Sequence, residues 1–185
     1  MSTDESQQKK PAHPFLTVAG LLGGVIGFYC GLMILIPLAG GMVALLLAKR
    51  FAPAAIRPLT PALAVIFGHM IWMLVGVIFA HIIAPVIADL EVIVAGLLWL
   101  ALRPGLGPVI LLSIYEAFSL VVNIAGVIHL DFGSVGHKAL TAHIALRIFA
   151  LAALIAGYRD FRKNQAAQII EIPPSAAQQP GGLSQ

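Results

Sequence analysis

Hydrophobic residues in this chain come in long unbroken runs, not in the periods of two or 3.6 that mark the half-buried elements of soluble domains. Four runs approach or exceed the length, about 20 residues, that a helix needs to cross roughly 30 Å of hydrocarbon. Thr60-Pro61 supplies a cap and a first-turn proline for a helix through about Ile83. Pro85 opens a shorter one that ends at Leu102, before Arg103-Pro104-Gly105. Gly107-Pro108 opens a third, to Ile128. Ser134 caps a fourth, whose apolar part ends near Tyr158 and which runs as far as Lys163.

Phe15 to Ala48 is a different case, 34 residues without a charge. As one straight helix it would be about 51 Å long, whereas two equal spans would be about 25 Å each, tolerable by local thinning of the bilayer. Gly31, Pro37 and Gly40-Gly41 are the candidate break points. The distribution of Lys and Arg arbitrates between the two. With a hairpin here, Lys9, Lys10, Lys49, Arg50, Arg57, Arg103, Arg159, Arg162 and Lys163 all face the cytoplasm, leaving Lys138 outside and Arg147 in the membrane. A single helix instead moves Lys9 and Lys10 outside. The pattern therefore predicts an all-α, polytopic integral membrane bundle of six transmembrane helices, five being the alternative, with both termini cytoplasmic.

Composition agrees. Of the 185 residues, 59% are hydrophobic and 10% charged, against roughly a quarter charged in a soluble domain, and the mean hydropathy is +0.96. A soluble enzyme is excluded, as are a nucleic-acid binder, despite a pI near 9.3, and a disulfide scaffold, since Cys30 is alone. Residues 1–14 are of mixed charge, with neither a compact basic region nor an A-x-A cleavage site, and read as a polar cytoplasmic N-terminus. The transmembrane domain covers 15–163, and 164–185, with five Gln and Pro173-Pro174, reads as a disordered cytoplasmic tail. In the absence of a targeting peptide, a bacterial cytoplasmic (inner) membrane is the expected location.

Ionisable groups at membrane depth each need a reason. Counting a rise of 1.5 Å per residue from the inner ends puts His69 and Glu116 about 12 Å deep, and Glu91 and Arg147 about 16 Å deep. On the fifth span, Ser113, Glu116, Ser119 and Asn123 share an arc of about 120°; on the sixth, His143 and Arg147 share a face. Joined by a short loop, the two helices run antiparallel, so facing residues keep a nearly constant index sum. Glu116 with Arg147 gives 263 and Asn123 with His143 gives 266. One register thus predicts a Glu116–Arg147 ion pair and an Asn123–His143 hydrogen bond. His69 and Glu91 form a looser pair, and Glu91 could alternatively share a proton with Glu116.

At the outer rim, His81, Asp89, His129, Asp131 and His137 are ligand types for a transition metal, but the spacing is weak and no metal site is expected. His69 and His143 lie at different depths, about 12 and 22 Å, which disfavours a bis-histidine haem. Gly23, Gly27 and Gly31 recur every fourth residue and predict close helix packing, within the chain or between copies. Inverted repeats, Walker motifs, H-E-x-x-H, G-x-S-x-G and a CxxC pair are absent. The sequence thus favours a small non-catalytic membrane protein without cofactor, a transport or channel component or an accessory subunit. Its partners would be the lipid bilayer and other membrane subunits or copies of itself. An intramembrane enzyme or a haem or metal redox carrier using the histidines is the alternative.

Overall fold

In hydrocarbon the backbone must be satisfied internally, which helices and closed barrels do, and runs as long and as continuously apolar as these form helices. A computed structural model describes residues 23–80 and 84–170. Five α-helices follow one another: α1 (Leu35–Phe51), α2 (Thr60–Ala80), α3 (Ala84–Leu102), α4 (Leu106–Val127) and α5 (Val135–Ile170), with no strand among the described residues. Residues 23–30 are also helical and lead into α1 through a 3-10 turn, Gly31–Ile34. Four segments, Gly23–Phe51, Ala54–Phe79, Leu106–Val127 and Val135–Ala167, are long and apolar enough to cross a membrane. The protein is an all-α helical bundle of membrane type.

The helix faces are those of a bundle dissolved in lipid. On α4, Leu112, Glu116 and Ser119 are buried while Ile114, Phe118 and Val121 are exposed. Polar groups point inward and large apolar ones outward, the reverse of a surface helix in water. At the end of the bundle where α2 and α4 start and α3 ends, Leu59, Ile66, Leu100, Leu112 and Leu154 form an apolar core to which α2, α3, α4 and α5 all contribute.

The ends of the elements follow from local chemistry. Ser134 caps α5 as expected, its Oγ accepting the His137 N–H at 3.1 Å. The helix then continues to Ile170, past the expected end at Lys163, because Gln165-Ala166-Ala167-Gln168 are good helix formers. Thr60 starts α2 with its hydroxyl donating back to the Arg57 carbonyl at 2.8 Å. Residues 1–22, 81–83 and 171–185, with the polar N-terminus, His81 and most of the tail, lie outside the described residues.

Two features bear on the long apolar stretch. Gly31 adopts φ +63°, the left-handed conformation that ends helices. The chain bends there: a Cβ on Gly27 would lie 3.8 Å from Ile34 Cγ2, although seven residues of straight helix rise about 10 Å. Pro37, Gly40 and Gly41, the other candidate breaks, are inside α1 and serve packing instead. Gly68 on α2 abuts the Pro37 carbonyl oxygen, and a Cβ on Gly41 would lie 3.0 Å from the Ala64 carbonyl oxygen. These helices cross backbone against backbone. By contrast, a Cβ on Gly23 or Gly31 would meet nothing within 4 Å among the described residues. Between α1 and α2 the close approach falls on Gly40, Gly41 and Gly68.

Candidate functional site

α5 carries Arg147 into the middle of the bundle, where it is 1% exposed. Its Nη1–H donates to Glu116 Oε2 of α4 at 3.0 Å. Its Nη2 faces Asp89 Oδ2 of α3 and the Tyr115 hydroxyl of α4, each at 3.5 Å. The Tyr115 ring lies under the guanidinium, 5.2 Å from centroid to Cζ, a cation–π arrangement. Three helices therefore converge on one cation. A desolvated guanidinium is tolerable only with its charge compensated, and here two carboxylates, a hydroxyl and an aromatic face surround the Nη groups, while Nε is left without a partner. The buried Glu116–Arg147 pair predicted from the register of α4 and α5 is present.

Asp89 and Tyr115 are the members that sequence reasoning missed. Depth counting from the helix ends places Asp89 at the outer rim and Glu91 at the centre. In the structure Glu91 is exposed, on the outward side of α3 beside Ile87, Leu90 and Val94, and Asp89 has the inward position. The two side chains diverge by about 200° around the helix, so only one can reach Arg147. A sequence gives that divergence but not the rotation of the helix about its own axis. The usable signal was that a buried guanidinium has more donors than Glu116 alone can accept.

The second expected rung is replaced. His143 bonds His69, Nδ1 to Nε2 at 2.7 Å, with the rings edge to face at 5.0 Å, and Asn123 Nδ2 is left without a partner. Counting residues separates the two histidines in depth only if the helices run parallel to the membrane normal. A Cβ on Gly157 would meet the Pro58 carbonyl oxygen at 2.7 Å and Leu59 Cα at 3.4 Å near the start of α2. From there to the histidine contact is ten residues along α2 but fourteen along α5, a slippage that crossed axes produce. A metal held between these two nitrogens would need them about 4 Å apart, from bonds near 2 Å each, and at 2.7 Å they hold a proton instead.

At the rim, His129 and Asp131 are exposed. The Tyr29 hydroxyl hydrogen-bonds with His137 Nδ1 at 2.7 Å and accepts the Gly133 N–H at 3.2 Å. Cys30 Sγ donates to the Lys138 carbonyl at 3.5 Å. These contacts tie the segment before α1 to Gly133 in the loop before α5 and to the first turn of α5. No group of three metal-ligating side chains occurs among the described residues.

Beside the polar centre lies a cavity of about 600 Å³. Its wall runs from Trp72 to Phe79 along α2 and from Val135 to Arg147 along α5, and Asp89, Asn123 and His143 also line it. It therefore occupies the half of the bundle toward the end of α2 and the start of α5, with Arg147 among its deepest residues. Neither a protein-family model, nor a curated protein, nor a solved structure matches the chain. Fold and site together define a helical membrane protein with a buried Glu–Arg pair.

Proposed function

We propose that the chain is a small non-catalytic protein of a bacterial cytoplasmic membrane, a transport or channel component or an accessory subunit of a membrane complex. The working part is the centre formed by Arg147, Glu116 and Asp89. One observation carries this reading: Arg147, 1% exposed, is at once held by two carboxylates and part of the wall of a cavity of about 600 Å³. A polar bridge that served only to hold helices together would be closed in by packing, since protein interiors fill space to crystal-like density. A charged cluster bordering a cavity of ligand size is instead the ordinary form of a binding site. No observation favours the enzyme or redox alternative.

The test uses Arg147→Met with Glu116→Leu, which removes both charges together. Expressed in a deletion strain and present in the membrane at the parental level, this variant should fail to restore the strain's parental growth. Full restoration would make the pair a structural tie and refute the reading.

A further inference from the structure

We propose that the cavity binds a hydrophobic organic monocation, an alkylammonium or aryl onium whose charge faces Asp89 and whose body lies along the hydrocarbon wall. The inference rests on reading the Arg147 centre as a ligand site and specifies what that site takes.

The charges of the centre do not balance. One guanidinium stands between two carboxylates, which leaves one negative charge that the three groups do not compensate among themselves. The geometry identifies the surplus carboxylate. Glu116 accepts from Arg147 at 3.0 Å and is fully buried. Asp89 faces the guanidinium at 3.5 Å with 38% of its side chain exposed, a looser contact than a charge-assisted hydrogen bond usually makes. Asp89 also lines the cavity, whereas Glu116 does not. The open side of the centre is thus a carboxylate with space in front of it.

The rest of the lining selects among cations. An inorganic ion needs several ligating side chains, and no group of three occurs among the described residues. Most of the wall is hydrocarbon, from residues such as Met33, Val75 and Leu140, which suits a cation that carries an apolar body and little hydration. Trp72 and Phe79 add aromatic rings to it, and the faces of such rings attract organic cations. A zwitterionic lipid headgroup fits worse, because its phosphate would bring a second anion beside Asp89. A carboxylate at membrane depth is costly without a counter-charge, and a lipophilic monocation supplies one. The volume of about 600 Å³ lies within the usual range for small-molecule sites, about 300–1,000 Å³.

The chain has two tryptophans, so Trp99→Phe leaves Trp72, in the cavity wall, as the sole indole reporter. The full chain with that change is purified in dodecyl maltoside, an uncharged detergent. It is titrated in one arm with tetraphenylphosphonium and in the other with tetraphenylborate, following Trp72 emission. The two ions match in shape and are opposite in charge. A saturable change is expected with tetraphenylphosphonium, and only a linear one with tetraphenylborate. Adding Asp89→Asn, which keeps the size of the side chain and an oxygen for Arg147, should weaken tetraphenylphosphonium binding at least about tenfold, the loss of a close charge pair. Gly76→Leu tests the place while keeping every charge. Gly76 lines the cavity, and a Cβ there meets nothing within 4 Å among the described residues. The added side chain should occupy the space and also weaken binding at least about tenfold. An unsaturable tetraphenylphosphonium titration, equal saturation by both ions, or saturable binding indifferent to Asp89→Asn or to Gly76→Leu would overturn the proposal. Failed titrations with the charge pair still required in cells defeat the ligand class alone. A pair dispensable in cells defeats the underlying reading.

Discussion

Arg147 and Glu116 are each nearly or wholly inaccessible, at 1% and 0% exposure, so neither charge has water to fall back on. Removing one leaves the other buried and uncompensated, typically at a cost of about 3–5 kcal/mol. Glu116→Gln or Arg147→Met alone should therefore lower the thermal midpoint of the detergent-solubilised protein sharply. Arg147→Met with Glu116→Leu should recover much of the loss, since a well-packed apolar pair is often as stable as an ion pair. A double variant as unstable as the sum of the singles would show that the two residues are not energetically coupled. Glu91 provides the contrast. It is exposed among Ile87, Leu90 and Val94, where a carboxylate facing hydrocarbon is unfavourable. Glu91→Leu should leave the midpoint unchanged or raise it, and a loss comparable to that of Glu116→Gln would mean that Glu91 has an essential partner.

At the scale of elements, α1 and α2 are joined by glycine contacts that leave no room for a side chain. Gly68 abuts the Pro37 carbonyl oxygen, and Gly41 is its other close neighbour. The obstruction is backbone, which cannot rotate away. Gly68→Ala must therefore separate the helices, at about 1–3 kcal/mol as for other overpacked sites. Gly76→Ala, on the same helix with nothing within 4 Å among the described residues, should be neutral. Equal thermal midpoints for the two variants would refute the assignment.

These elements also show what was legible in the sequence and what was not. Ser134 as a cap follows from local chemistry, and Glu116 with Arg147 follows from the antiparallel register across a short loop; both are present. The glycine contacts depend on where non-consecutive helices cross, and Gly40, Gly41 and Gly68 have no spacing that announces it. The His69–His143 bond joins α2 to α5 across 74 positions of chain, so no loop constrains its register. Asp89 depended on the rotation of α3, which a run apolar on nearly all sides leaves open.

At the scale of the whole molecule, the question is how the apolar stretch before Lys49 is disposed. Tyr29 bonds His137 and Cys30 bonds the Lys138 carbonyl, which sets the bend at Gly31 beside the first turn of α5, where Lys138 is the sole extramembrane outer cation of the six-span arrangement. From there α1 has 17 residues, about 25 Å, and ends with Lys49 and Arg50 in its last turn, so it suffices to carry the chain to the cytoplasmic side. Residues 15–30 would then have to stay on the outer surface or return through the bilayer. Val25 and Phe28 are 68% and 94% exposed, and such side chains are stable against lipid and costly in water. The bend and this apolar surface support a return, six spans with both termini inside. In a Cys30→Ser background, single cysteines at Ser6, Lys138 and Ser175 are treated on intact cells with a membrane-impermeant maleimide. Lys138→Cys should label, and Ser6→Cys and Ser175→Cys should label only after the membrane is opened. Labelling at Ser6→Cys but not at Ser175→Cys would establish five spans, with the N-terminus outside and the first apolar stretch crossing once.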